Sequence, residues 1–382
     1  MNALEYAREQ LEYVIAMRRL FHRNPELAFQ EAATTDRIMD ELADMGIPAA
    51  RLDPTGAVGE IVGAYPGKTL VIRAEIDALS IQEETDVPFR SRNPGIMHAC
   101  GHDANTAMLL GTARILNKIR DRLHGRVRLL FQPAEEMGNG AAAVIGQGVL
   151  EGAGGVLALH VSSQVACGAI CIGEGAMLPQ ATKYTIRVTG KSTHGALPQE
   201  GANAALAGAA VATHLQSIVP LEFSAYENVL ISLGTFHSGS AANAVPEHAE
   251  LQGTIRAYSH EVTEKVKSSI RRVAESGAAL YRCTAEAGFE TVCEALVNDS
   301  GLYELSRQAA ADVAGQVLPF IRTMASDNFS EYSSRCPSMY VCLGVGGGFP
   351  QHSSRYEMDE QALAVGVAFE VDFVHRYFNE QL

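Results

Sequence analysis

TLVIRAEID, residues 69–77, is an apolar run broken by Arg73 and Glu75 and closed by an acid, Asp77. Short apolar runs bounded by turn formers read as buried strands. Three further runs share the form. VRLLF (127–131) leads past Gln132 and Pro133 to the acid pair Glu135–Glu136. GVLAL (155–159) stops at His160, and MYVCL (339–343) runs through a stretch of glycines to His352. Parallel sheets collect ligands at the carboxyl ends of their strands. Four runs that end on metal-binding or proton-moving side chains therefore predict a site at one sheet edge.

Around these runs, strand and helix patterns alternate. Residues 1–45 read as two helices joined at His22-Arg-Asn-Pro-Glu26, and 104–120 and 139–151 have helical period. This alternation predicts an α/β fold with a doubly wound, mostly parallel sheet. The pattern changes near residue 182. Alternating strands at 183–190, 228–236, 250–258 and 283–289 are interleaved with helices at 200–218 and 260–281. That order, β-α-β-β-α-β, is the ferredoxin-like split βαβ unit. It predicts an α+β domain, 182–292, inserted into a catalytic domain made of 1–181 and 293–382. Helices at 300–314 and about 359–379 complete the latter.

The chain has 382 residues, 47% hydrophobic and 19% charged, with a net charge of −14. That acidity argues against nucleic acid or an anionic membrane as partner. Seven cysteines, an odd number in a long chain, read as reduced thiols and predict a cytoplasmic setting. The first twenty-two residues have the pattern of an amphipathic helix rather than of a signal peptide. No membrane span is expected, because no run of about 18 uncharged apolar residues occurs.

The chemistry begins at Met97-His98-Ala-Cys100-Gly-His102-Asp103. A thiolate and an imidazole two residues apart at a helix start can ligate zinc or another late divalent metal; the plain alternative is a packed cysteine beside a capping histidine. His98 reads as a supporting residue. An adjacent acid pair after a strand lets one carboxylate hold metal while the other works on water. Adding His160 and His352 to Cys100, His102 and the glutamates gives more ligands than one tetrahedral ion with an open position needs, and suits two ions. Asp77 can orient a ligating histidine or pair with Arg73. In the inserted domain, His194 (GKSTHGALP), Asn243 (SGSAANAVP) and Arg256 (GTIRAY) stand out. An arginine on an alternating strand is either a solvent-facing charge or a clamp for a substrate carboxylate.

Taken together, these segments resemble the M20 metallopeptidase family, in particular its amidohydrolase branch of aminoacylases, hippurate hydrolases and auxin-conjugate hydrolases. HRNPELAFQE (22–31), IRAEIDALSIQEE (72–84), MHACGHD (97–103), FQPAEEMGNGA (131–141), LHV (159–161), GKSTHGALP (190–198), NAVPE (243–247), GTIRAY (253–258) and HS (352–353) follow the family's order over nearly the whole chain. The resemblance implies two divalent metal ions per chain (zinc, manganese, cobalt or nickel) and a lid domain through which relatives dimerise. It implies Cys100 as the bridging ligand, with His102, Glu136, His160 and His352 as the others, and Glu135 as general base. Asp77 supports the site. His194, Asn243 and Arg256 contact the substrate carbonyl and carboxylate, with His194 able to act from a partner subunit. The implied activity is hydrolysis of small N-acyl amino acids or related acyl and aryl amides. A dipeptidase or carboxypeptidase, or a hydrolase of another C–N bond, is the alternative. A silent metal-binding protein is a third reading, against which the retained base and ligands argue. The chain departs from the branch at Glu75, Asn105, Asp327 and Asn328, where the usual patterns are RADMD, CGHDGHT and GSEDF.

Overall fold

A computed structural model describes residues 2–379. Two compact units form: one from residues up to Met177, Val297–Ile321 and Asp327 onward, the other from Leu178–Leu296 with Arg322–Ser326.

The first unit is built on an eight-stranded sheet. Its strands are β1 (Ala49–Arg51), β2 (Ala57–Val62), β3 (Tyr65–Glu75), β4 (His124–Gln132), β5 (Ala153–Ser162), β6 (Ala169–Ile172), β15 (Gln316–Pro319) and β16 (Ser338–Gly344), in the order β1-β2-β4-β3-β5-β16-β6-β15. The middle four, β4-β3-β5-β16, are mutually parallel. Their carboxyl ends thus lie along one edge. The outer pairs β1–β2, β2–β4 and β16–β6 are antiparallel. Buried Val71, Ile72, Leu129, Leu157 and Val341 line the middle strands. Strands covered on both faces need such unbroken apolar runs.

Helices α1 (Ala3–Arg23), α2 (Ala32–Asp44), α3 (His102–Lys118), α4 (Gly140–Ile145), α7 (Ser300–Val313), α8 (Ser330–Ser333) and α9 (Leu363–Asn379) belong to this unit. Helix α3 is buried on nearly every face. It starts where it does because Gly101 adopts φ +94, a left-handed conformation open to glycine at little cost. A Cβ there would lie 2.3 Å from a Val161 methyl and 2.8 Å from Tyr356 Oη. Cys100 and His102 flank this turn.

The second unit has a four-stranded antiparallel sheet. Strands β8 (Gln180–Thr189), β10 (Val229–Ser238), β12 (His248–Ala257) and β13 (Thr284–Cys293) take the order β10-β12-β8-β13. Helices α5 (Ala204–Glu222) and α6 (His260–Ala279) form a separate apolar core with it, including Val211, Leu215, Leu251 and Ile270. Short β9 (Thr193–His194) and β11 (Ala244–Val245) pair as a ladder. The ribbon of β7 (Gly175–Leu178) and β14 (Leu296–Asn298) lies where the chain leaves the first unit and returns to it.

The structure departs from the sequence expectations in four places. Strand β3 ends at Glu75, although Ile76 N–H still reaches Gln132 C=O at 3.0 Å, so Asp77 lies just past the strand. His160 lies inside β5, because that strand keeps its parallel pairing with β16 through Ser162. Segment Arg322–Ser326 groups with the second unit, where Tyr258 Oη donates to Thr323 C=O at 2.5 Å. Finally, α5 is long and apolar enough to cross a membrane by composition alone. Its stripe Ala204, Ala207, Val211, Leu215 and Ile218 has the spacing of a helix face and belongs to the core of its own unit.

Candidate metal centre

Six side chains with atoms able to bind metal gather at the carboxyl edge of the parallel strands. The donor atoms of Cys100, His102 and His160 lie within 4.8 Å of one another, as do those of Cys100, Glu136 and His352, and those of His102, Glu135 and Glu136. Cys100 thus belongs to one triad with two histidines and to another with Glu136 and His352. His160 Nε2 is 3.7 Å from Cys100 Sγ. Glu136 Oε1 is 3.5 Å from His352 Nε2 and 4.0 Å from His102 Nε2.

Each candidate donor is aimed by what its other atoms touch. His102 Nδ1 donates to the Asp77 backbone carbonyl at 2.9 Å and lies 3.3 Å from Asp77 Oδ1, which turns Nε2 inward. His160 Nδ1 donates to Val161 C=O at 2.8 Å, with the same effect. His352 has φ +65, a left-handed conformation rare outside glycine, held by its N–H on Ala99 C=O at 2.8 Å. The two oxygens of Asp77 accept the backbone N–H groups of Glu135 and Glu136, each at 3.0 Å. Ala134, immediately before them, also has positive φ (52), and its N–H is taken by buried Glu31 at 2.9 Å. Asp77 and Glu31 thereby shape the turn that presents the acid pair.

Two buried atoms of this cluster, His102 Nε2 and Glu136 Oε1, have no hydrogen-bond partner among the described residues. Buried polar atoms are rarely left so. Both are good donors to a divalent cation, and thiolate, imidazole and carboxylate together suit zinc or a similar metal. The residues present therefore fit two metal ions.

The groups of the cluster perturb one another's protonation. Burial pushes the Cys100 thiol up to about 12, with the His102 charge opposing it. Burial alone would lower His102, but Cys100 and Asp77 hold it well above the imidazole range. His160 is pushed down to about 4 by burial and by the His102 charge. Glu135 is pushed up to about 8 by burial and by the Asp327 charge, with His102 and Arg73 opposing. Asp77 stays below the usual carboxylate range: burial would raise it, and bonding to His102 and the two N–H groups outweighs that.

The pattern of the M20/M25/M40 peptidase family matches residues 71–376. The chain belongs to this family. The M20 chain is 35% identical over 357 residues to N-acetylcysteine deacetylase of Bacillus subtilis, covering 92% of this chain and 93% of that one. It is 39% identical over 285 residues to N-acyl-L-amino acid amidohydrolase of Geobacillus stearothermophilus, covering 73% and 77%. Its fold superposes with a TM-score of 0.90 on the Bacillus subtilis YXEP protein, described as a dinuclear metal-binding peptidase of the M20 family. That protein is 32% identical, with 98% of this chain and 100% of that one covered.

The other predicted residues of this M20 chain lie in the second unit. The β9–β11 ladder sets His194 opposite Ala244, and Gly195 N–H donates to Asn243 C=O at 2.7 Å, so His194 and Asn243 are neighbours. His194 Nδ1 accepts from Ala196 N–H at 3.1 Å. Arg256, on β12, donates to Ser326 Oγ at 2.9 Å. His98 is buried with neither ring nitrogen hydrogen-bonded among the described residues, and burial holds it down to about 4.

The support beneath Glu135 leaves little trace in the sequence. Fully buried Arg73 pairs with Glu75 and Asp327 rather than with Asp77. It also donates to Gln132 Oε1 at 2.9 Å and Asn328 Oδ1 at 2.9 Å. Asn105 donates to Glu75 Oε2 at 2.9 Å and accepts from Val161 N–H at 3.2 Å, beside His160. All four positions where the chain departs from its branch therefore meet in one buried network. Its one sequence signal was an arginine inside an apolar strand.

Proposed function

We propose that the chain is a metal-dependent amidohydrolase that cleaves N-acyl amino acids or closely related amide conjugates. The observation that carries this reading is an acid, Glu135, next to a cluster whose donors fall into two triads sharing Cys100. Relatives named as a deacetylase of N-acetylcysteine and an amidohydrolase of N-acyl-L-amino acids support the substrate class.

Cys100, His102, Glu136, His160 and His352 would hold two divalent ions, with Cys100 shared. When bound, such ions polarise an amide carbonyl and make water more acidic. Glu135 takes a proton from the attacking water as its oxygen adds to the carbonyl carbon. It then delivers that proton to the amide nitrogen as the C–N bond breaks, leaving a carboxylic acid and an amine. Asp77 keeps Glu135 and the imidazole of His102 in place. We assign His194 to the carbonyl oxygen, and Asn243 and Arg256 to the free carboxylate of the substrate. We also assign the second unit a lid and dimerisation role: β10 is an edge strand with exposed Leu230 and Phe236, and edges of this kind pair with other chains.

The test combines metal analysis with a free-amine assay on acetyl-, benzoyl- and indolylacetyl-amino acids and dipeptides. Two metal equivalents per chain and amine release from the acylated substrates are expected. Glu135→Gln should keep the metal and lose turnover by at least about a hundredfold. Full turnover by that variant would remove Glu135 from the mechanism.

A further inference from the structure

Asn328 touches the base from two sides. Its backbone N–H donates to Glu135 Oε1 at 3.2 Å, and its Nδ2 donates to the Glu135 backbone carbonyl at 3.3 Å. Its Oδ1 accepts from Arg73 Nη2 at 2.9 Å and from Gln132 Nε2 at 3.1 Å. Gln132 is fixed in turn, because its Oε1 accepts from Arg73 Nε at 2.9 Å and from Tyr332 Oη at 2.8 Å. Arg73, Gln132, Asn328 and Tyr332 are all buried.

This network reads the two ends of the Asn328 amide differently. Two donors face its oxygen and one acceptor faces its nitrogen. Turning the amide over would set donor against donor at Arg73 and Gln132, and acceptor against acceptor at Glu135. A carboxylate in its place would oppose the Glu135 carbonyl and add negative charge beside Glu135 and Asp327. Only an amide satisfies every contact. The backbone N–H of Asn328, held in place by this clamp, engages Oε1 of Glu135, and Oε2 has no hydrogen-bond partner among the described residues, so one oxygen stays available for the proton.

We propose that Asn328, clamped by Arg73 and Gln132, is a positioning residue that fixes the carboxylate of Glu135 for proton transfer. This rests on the assignment of Glu135 as the base. Asn328 does not touch a metal ligand in the network above, so its loss leaves the donor set intact. Misplacing a catalytic group by about 1 Å costs on the order of a hundredfold in rate.

Asn328→Asp and Asn328→Ser are compared with wild type and with Glu135→Gln, all loaded with metal. The serine variant adds no charge and guards against failure of the aspartate variant to fold. The expected result is a kcat lowered about tenfold to a hundredfold with KM within about twofold. Elemental analysis should still find the wild-type metal content, and calorimetry an unchanged affinity for the product amino acid. A folded, metal-replete Asn328→Ser with wild-type kcat overturns the proposal. So does a loss confined to KM, or a loss that tracks missing metal. If Glu135→Gln is inactive while Asn328→Ser is unaffected, the positioning role alone fails. If Glu135→Gln turns over normally, the base assignment fails and takes the positioning role with it.

Discussion

Asp77 shows how much one buried carboxylate can organise. It is 1% exposed and serves His102, Glu135 N–H and Glu136 N–H at once. Removing such a partner typically costs ten- to a hundredfold in metal affinity. Asp77→Ala should therefore release metal to a competing chelator at concentrations about tenfold or more below wild type. A chelator titration followed by metal analysis reads this directly. A second buried acid acts on stability instead. Glu370 is 2% exposed, and burial pushes its carboxyl up to about 8, with Thr112 Oγ1 donating at 2.5 Å. A folded-state value above the unfolded one means the neutral form is favoured by folding. Its contribution is fully present below the usual carboxylate range and is lost as pH rises toward 8, at about 1.4 kcal/mol per unit of difference. Glu370→Gln should flatten the dependence of Tm on pH between about 5 and 8; an unchanged slope would exclude Glu370 as its source. Candidate metal donors were legible at this scale because chemistry is a property of single residues. The partner of Arg73 was not: Asp77 and Glu75 both lie nearby in sequence, and burial against Asp327 decided between them.

At the scale of elements, the junction of β5 and α3 governs the ligands. Gly101→Ala would place a methyl 2.3 Å from Val161 and force an L-residue into φ +94. The start of α3 would have to shift, separating Cys100 from His102. The variant should melt at a lower temperature and bind less metal, both measurable on one sample; wild-type values for both would show that the turn tolerates a side chain. The succession of strands and helices could be read ahead because apolar periodicity is local. Strand ends could not. The continuation of β5 through His160 depends on its pairing with β16, over 170 residues later in the chain.

Among the described residues the two largest apolar cores are separate, one around Phe131, Leu157, Phe369 and Phe373, the other around Leu251 and Ile270. Ile270→Ala empties space in the second alone and should cost about 2–5 kcal/mol of that unit's stability. Metal content under native conditions should stay at the wild-type level, and metal lost in proportion to stability would contradict this independence. Chelation should act on the first unit: a ligand that binds only the folded state stabilises it by mass action. Chelator should lower Tm, and added divalent metal should restore it. By itself the sequence determined which side chains are candidate metal donors, their order, and the alternation of β and α. These depend on residue chemistry and on periods of two and 3.6 residues. Only the tertiary structure decided which donors converge on Cys100 and that Asn328, 255 residues from Arg73, closes the support beneath Glu135. Contacts of that span carry no local signature, because they arise only once the strands are paired and the interior has excluded water.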